Sequence, residues 1–137
     1  MNLPPLVLYH AGCWDGFTAA WVLDQALRAE DPPAPPVLRP VHYGDPVPDL
    51  AGRRVFVVDV AWAPAELIPA AREALSVTLL DHHRTAEEQW AGVDLRGADC
   101  RNLVVQIDRD RAGARLAWDL VRPGRTRARR APPPASR

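Results

Sequence analysis

Five short apolar runs, separated by longer stretches with helical periodicity, are the feature that most constrains the fold of this chain. The apolar runs lie at residues 6–9, 37–43, 55–58, 76–80 and 103–107. Four of them are followed by stretches typical of amphipathic helices, at residues 17–28, 64–75, 85–90 and 113–121. Strands that alternate with helices form right-handed βαβ units. We therefore predict an α/β fold with a single parallel sheet of about five strands and helices on both faces.

Acidic and histidine side chains follow four of these runs directly. They are His10, Asp59, Asp81 and Asp108, and the segments beyond them add Asp15, His82 and His83. The carboxyl ends of parallel strands meet at one edge of a sheet, where α/β proteins bind ligands. Carboxylates and imidazoles crowded there repel each other unless a cation neutralises them. Mixed Asp and His donors favour Mn²⁺ or Mg²⁺, although imidazole leaves Zn²⁺ and Fe²⁺ open.

Charge is distributed unevenly along the chain. The 137 residues, 47% of them hydrophobic, suffice for one domain with a modest core, which we place at residues 1–121. That part carries 11 arginines and 17 acidic residues, a formal charge of −6, whereas residues 122–137 carry 6 arginines and no acid. We expect residues 122–137 to form a disordered Arg/Pro-rich tail. A nucleic-acid-binding arm is the alternative interpretation.

Cysteine usage and the N-terminus indicate the compartment. Cys13 and Cys100 are too few for a disulfide framework or a zinc-type cysteine cluster. The first residues contain neither a basic segment nor a long apolar run, so we expect no signal peptide and no membrane span. These features predict a soluble, cytoplasmic protein without a membrane partner.

Several residues near the strand ends allow more than one interpretation. Cys13 is equally suited to be a small buried residue or a metal ligand. For Asp108 we favour a structural cap over a ligand, and for His42 a structural or exposed position. Gly12 and Gly16 are predicted to be turn glycines that permit close approach of the backbone to metal or phosphate.

Four of the five tryptophans divide into two groups. Trp21 and Trp118 lie in predicted helices, and we predict that they pack in the core. Trp14 and Trp62 directly follow predicted site residues, so packing and base stacking both remain open for them.

Three motifs in order resemble the DHH phosphoesterase superfamily. They are His10 with Asp15-Gly16, Asp59 after the run at residues 55–58, and Asp81-His82-His83, followed by the helix start at residues 111–114. Residues 9–17 are most similar to the oligoribonuclease and cyclic-nucleotide phosphodiesterase branch. The resemblance covers residues 6–121 and implies a Rossmann-like N-terminal domain of this superfamily.

The resemblance also implies roles for individual residues. It implies a centre of two Mn²⁺ or Mg²⁺ ions whose protein ligands are His10, Asp15, Asp59 and His82. Asp59 would bridge the ions, Asp81 would orient the histidine pair, and His83 would meet the substrate phosphate. Asp81 and His83 are thus the predicted catalytic residues.

Three further residues in the first motif are candidates for the site. Cys13 is an additional candidate metal ligand, and Trp14 and Gly16 are candidates for substrate contact. Cys13 stands where many family members have a ligating Asp, so we expect one ion site to be incomplete. The family also has a metal-binding Asp beyond the helix at residues 113–121, and a second, substrate-binding domain. This chain shows neither, and we expect residues 122–137 to be a truncated or frameshifted end.

Metal-dependent hydrolysis of short oligoribonucleotides or cyclic nucleotides is the predicted function. We expect the altered ligand position and the missing second domain to impair this activity. The alternative is a non-catalytic remnant that binds nucleic acid through its basic tail. Salt-dependent binding that disappears on deletion of residues 122–137 would favour that alternative. An inorganic pyrophosphatase ranks lower because it needs a cationic cage and the chain has no lysine.

Overall fold

The computed structural model describes residues 3–122 and builds them from five strands and four helices. In chain order they are β1 (Leu6–His10), α1 (Trp14–Arg28), β2 (Val37–Val41), β3 (Arg54–Val58), α2 (Pro64–Glu73), β4 (Ser76–Asp81), α3 (Arg84–Trp90), β5 (Leu103–Ile107) and α4 (Gly113–Val121). The disorder predicted for the C-terminal tail concerns residues outside the described range, apart from Arg122.

The five strands form one parallel sheet in the order β2-β1-β3-β4-β5. This order confirms the predicted α/β fold. The chain leaves β1 towards one edge of the sheet and continues from β3 towards the other, so the direction of winding reverses between β1 and β3. Parallel sheets bind ligands beyond the carboxyl ends of the strands at such a switch point. His10 ends β1 there, and Asp59 directly follows β3.

Apolar side chains leave both faces of the sheet, and helices cover each face. One core joins Leu8, Val57 and Leu79 of the central strands to Leu67 of α2 and to Trp90 of α3. The other core packs alternate residues of the same strands against α1 and α4; its members include Val7, Val58, Leu80, Leu23 and Leu116. Strand residues alternate between the faces, so a strand covered on both sides is apolar throughout. The predicted placement of helices on both faces is therefore confirmed.

Helix α1 begins at Trp14, three residues before the predicted start. Thr18, which could have capped a later start, instead donates its hydroxyl to the carbonyl of Trp14 at 2.8 Å inside the helix. Cys13 has extended backbone at the N-cap position and makes no side-chain cap there. The early start places Asp15 in the first helical turn, where its carboxylate can accept hydrogen bonds from elsewhere in the fold.

The prediction that Trp21 and Trp118 pack in the core is wrong. Their exposed fractions are 56% and 49%. Small residues such as Ala19 and Ala20 meet the sheet instead, because helix α1 lies close to it.

Strand β2 ends earlier than predicted, at Val41, because the amide of His42 turns to donate to Asp45 Oδ2 at 2.8 Å.

None of the helices among residues 3–122 combines the length and the apolar composition that crossing a bilayer requires.

Candidate metal centre

Asp59 lies at the middle of the polar cluster beyond the sheet. Its side chain follows the central strand β3, and the residue is completely buried. Its backbone has a φ of 60°, in the left-handed region that asparagine and aspartate tolerate better than most residues. Strained backbone of this kind costs about 1–3 kcal/mol and concentrates at functional sites. A buried carboxylate held in this conformation is thus a candidate for a functional group.

Three side chains from different elements converge on the Asp59 carboxylate. The Cys13 thiol donates to Oδ2 at 3.2 Å, and His82 Nε2 lies 2.8 Å from Oδ1. His10 Nδ1 lies 3.5 Å from Oδ2. These residues come from the ends of β1 and β4 and from the start of α1, so the sheet edge brings together groups that are far apart in sequence.

His10 supplies an unsatisfied donor or acceptor. Its Nδ1 is buried and has no hydrogen-bond partner of acceptable geometry among the described residues. Buried polar atoms without partners are rare and cost about 1–3 kcal/mol each. A cation beside Asp59 would satisfy this nitrogen and the carboxylate together, so the donor set fits a bound metal ion.

Asp15 joins the cluster through backbone contacts that the sequence did not reveal. Its two oxygens accept hydrogen bonds of 2.8 Å from the N–H groups of Gly113 and Ala114, at the start of α4. Oδ2 also lies 3.2 Å from His82 Nε2. Partial burial opposes ionisation, but the N–H donors of Ala114 and Gly113 outweigh it and hold the pKa of Asp15 below its ordinary value. Asp15 therefore adds negative charge to the cluster and ties α4 to α1.

Two glycines allow this close packing. A Cβ atom on Gly113 would lie 3.0 Å from Asp59 Cβ and 3.2 Å from Asp15 Oδ2. One on Gly16 would lie 2.7 Å from the carbonyl oxygen of His10. Gly16 is a helical residue of α1 whose packing lets that helix approach β1, rather than the turn glycine that the sequence suggested. Its predicted contact with substrate stays a prediction.

Asp81 connects the two adjacent histidines. Its Oδ1 accepts the backbone N–H of His82 at 2.8 Å and lies 2.7 Å from Nδ1 of His83. Asp81 is 1% exposed, so its position is fixed. The other ring nitrogen of His83, Nε2, lies 4.0 Å from Asp59 Oδ1. The contact between Asp81 Oδ1 and His83 Nδ1 is the one through which Asp81 would orient His83, as the family resemblance implied.

Tyr43 belongs to the same cluster, and sequence reasoning missed it. Its hydroxyl lies 3.2 Å from His83 Nδ1, and its ring lies edge-on to His10 with centroids 4.8 Å apart. Burial, followed by the nearby carboxylates of Asp81 and Asp59, raises the pKa of Tyr43 to about 12. The phenol therefore stays protonated at neutral pH. The one signal in the sequence was that Tyr43 closes the second apolar run, at the same edge of the sheet.

Asp108 lies apart from the cluster and has the structural role that we favoured. Its carboxylate accepts the N–H of Asp110 at 2.9 Å and pairs with Nε of Arg111 at 2.7 Å. Arg111 then extends to the buried Asp119 in α4. The His42 side chain is 76% exposed, which agrees with the structural or exposed position predicted for it.

Trp62 and Trp14, which the sequence left open, differ in their surroundings. Trp62 is 5% exposed and donates its Nε1 to the carbonyl of Asp45 at 2.8 Å, as a packed residue does. Trp14 is 85% exposed and lines a cavity of about 560 Å³ together with Tyr9, Gly12, Cys13, Phe17 and Pro40. A second cavity, of about 450 Å³, lies on the His83 and Tyr43 side.

Two groups of side chains in the described residues could hold a metal ion. One group comprises Asp59, Asp81, His82 and His83, and the other comprises His10, Cys13 and Asp59. In each group the donor atoms lie within 4.8 Å of one another. Asp59 belongs to both groups, which is the arrangement that a bridging ligand requires. Asp15 belongs to neither group: both of its oxygens accept N–H groups of α4, and Oδ2 lies 3.2 Å from His82 Nε2.

Comparisons with protein-family models, with curated proteins and with solved structures found no match to this chain.

Proposed function

We propose that this protein is a phosphoesterase that uses divalent metal ions to hydrolyse short oligoribonucleotides or cyclic nucleotides. The observation that carries the proposal is the convergence of His10, Cys13 and His82 on the buried Asp59. The sequence motifs that resemble the DHH superfamily occur at these positions. A cytoplasmic location is part of the proposal.

Charge explains why metal ions belong to the proposal. Asp15, Asp59 and Asp81 lie together, and a phosphodiester would be repelled by their negative charge. Asp59, which both donor groups share, would hold the two ions. His10, Cys13 and His82 would complete their ligands, with Asp15 supporting His82 and Mn²⁺ or Mg²⁺ as the predicted ions. Bound there, the ions would supply a water of lowered pKa and polarise the phosphoryl oxygens.

His83 would act on the substrate beside that centre. In a neutral ring, the hydrogen bond from Nδ1 to Asp81 leaves the lone pair of Nε2 directed towards the Asp59 side of the cluster. That nitrogen can accept a proton from the attacking water or contact the phosphate. Tyr43, protonated at neutral pH, offers a further O–H donor on the same side.

The Asp81→Ala substitution is expected to lower kcat by about a hundredfold or more, because it removes the acceptor that holds the Nδ1 proton of His83. Nδ1 can then accept from the Tyr43 hydroxyl, 3.2 Å away, which favours the wrong tautomer. Two-dimensional ¹⁵N NMR of the imidazole nitrogens would report the tautomer directly. We expect the proton to move from Nδ1 to Nε2 in the variant. Asp108→Ala is the matched control, since Asp108 also follows a strand but contacts Arg111 instead. An unchanged tautomer with unchanged kcat would contradict this role.

Trp14 is proposed to stack on a base of the substrate. The cavity that it lines adjoins Cys13, whose thiol reaches Asp59, so a nucleotide with its phosphate at the centre could place its base against Trp14. Stacking on an aromatic side chain is worth about 1–3 kcal/mol per base. Base stacking would explain why a tryptophan that does not pack in the core lies beside the polar centre.

Trp14→Ala is expected to weaken the binding of AMP to the metal-loaded protein by roughly tenfold or more. Binding of ribose 5-phosphate, which lacks the base, should not change. Trp21→Ala, an equally simple truncation at an exposed position of the same helix, should leave both affinities unaltered. Titration calorimetry measures the affinity of each of the two variants for each of the two ligands. Equal losses for both ligands would show that Trp14 does not recognise the base.

The function itself is tested by incubating the purified full chain with Mn²⁺ and the dinucleotide pApA or a cyclic dinucleotide. Release of mononucleotides that chelation abolishes is the expected result. A metal-loaded protein that leaves both substrates intact would overturn the proposal. Salt-sensitive RNA binding without hydrolysis, lost on deletion of residues 122–137, would favour the non-catalytic alternative.

A further inference from the structure

The two metal-binding groups differ in chemistry, because only one of them contains sulfur. The group of His10, Cys13 and Asp59 offers one imidazole nitrogen, one thiol and one carboxylate. The group of Asp59, Asp81, His82 and His83 offers only oxygen and nitrogen. Thiolates select soft and borderline ions, whereas carboxylates suit Mn²⁺ and Mg²⁺.

Cys13 is held in place for coordination by the surrounding fold. It lies at the N-cap of α1 with extended backbone, and its Sγ lies 3.2 Å from Asp59 Oδ2. The buried Nδ1 of His10, which has no hydrogen-bond partner among residues 3–122, lies 3.5 Å from the same oxygen, Asp59 Oδ2. Sulfur and nitrogen donors therefore approach a single carboxylate oxygen, and an ion seated between them would satisfy all three.

Three protein donors are also the number found in catalytic zinc sites, which keep a fourth position for water or substrate. Binding of the ion would displace the thiol proton to solvent, so the set of protein ligands would gain one negative charge. The thiolate then completes a set with one imidazole and one carboxylate. Such a set favours Zn²⁺ over Mn²⁺ on two grounds, the softness of sulfur and the general order of divalent-ion affinities.

We propose that the centre is asymmetric: the His10–Cys13–Asp59 group takes a thiophilic divalent ion of the Zn²⁺ class, and Asp59 with His82, on the oxygen and nitrogen side, takes a hard ion such as Mn²⁺ or Mg²⁺. The inference deepens the proposed function by naming the ion on one side of Asp59. It rests on metal binding at this site and not on hydrolysis of any particular substrate.

Cobalt provides a test that needs no activity, because Co²⁺ substitutes for Zn²⁺ and gives a thiolate-to-metal charge-transfer band in the near ultraviolet. The full chain titrated with Co²⁺ should develop this band. Cys13→Ser should remove it, and Cys100→Ser should keep it. The chain has two cysteines, and Cys100 is buried beside Asn102 with its Sγ 3.5 Å from Oδ1, so it is a matched control.

Competition between ions tests the selectivity. Cys13→Asp, which replaces the thiol by a carboxylate, should lower the preference for Zn²⁺ over Mn²⁺ at this site by about tenfold or more, and it provides a second variant if the serine form folds poorly. Circular dichroism checks the fold of each variant.

Three results would overturn the inference: a Co²⁺ complex of the parent without the band, a band that survives in Cys13→Ser, or no binding of Co²⁺. A band confined to the parent and Cys100→Ser, together with failure to hydrolyse nucleotides, would sink the proposed function and leave the asymmetric centre intact.

Discussion

Asp59→Asn is expected to reduce the affinity for Mn²⁺ by at least about a hundredfold while leaving the sheet folded. Loss of a residue that merely supports a ligand typically costs 10–100-fold, roughly, in metal affinity, and Asp59 is shared by both donor groups. Asparagine has nearly the same volume and tolerates the left-handed backbone that Asp59 adopts. We therefore expect the free energy of unfolding without metal to stay within about 1 kcal/mol of the parent value.

A thermal-shift measurement separates the two effects. Saturating Mn²⁺ should raise the Tm of the parent by at least about 5 °C, because a ligand at a hundred times its Kd stabilises the folded state by about 2.7 kcal/mol. At the same Mn²⁺ concentration the Asp59→Asn variant should shift by no more than about 2 °C, because the ion is then at or below its weakened Kd and stabilises by at most about 0.4 kcal/mol. Asp108→Asn, which alters a strand-end carboxylate outside both donor groups, should respond like the parent. A normal shift in Asp59→Asn would mean that the metal centre is not at this edge of the sheet.

Gly16→Ala is expected to destabilise the protein by about 1–3 kcal/mol and to weaken metal binding at the same time. Within a helix, replacing glycine by alanine ordinarily stabilises by up to about 1 kcal/mol. Here the added methyl group would lie 2.7 Å from the backbone oxygen of His10, so α1 or β1 must move. Either movement displaces His10 or Cys13 from Asp59, and the ligands no longer converge.

Urea unfolding and Mn²⁺ titration of the same variant check both parts of this prediction. Gly97→Ala serves as the control, because its methyl group would meet only the side chain of Asp94, which can turn away. We expect that control to change the free energy of unfolding by no more than about 0.5 kcal/mol. A Gly16→Ala protein as stable as the parent would show that α1 does not depend on this close approach.

The sequence by itself determined the strands, their alternation with helices and the edge at which polar residues collect. Apolar runs such as residues 55–58 are long enough and apolar enough to be predicted as buried strands without knowledge of the tertiary structure. Parallel strands place their carboxyl ends together, so the proximity of His10, Asp59 and His82 followed from the order of the motifs alone. All three lie in the observed cluster.

Only the tertiary structure decided which groups complete that cluster. Asp15 is oriented by the backbone amides of Gly113 and Ala114, almost a hundred residues away, and no periodicity encodes such a contact. Tyr43 enters because the segment after β2 brings its hydroxyl to His83. Periodicity also failed for Trp21, since it indicates which side of a helix is apolar and not how close that helix lies to the sheet. The close approach of α1, which Gly16 permits, leaves room for Ala19 and Ala20 and turns the larger ring outward.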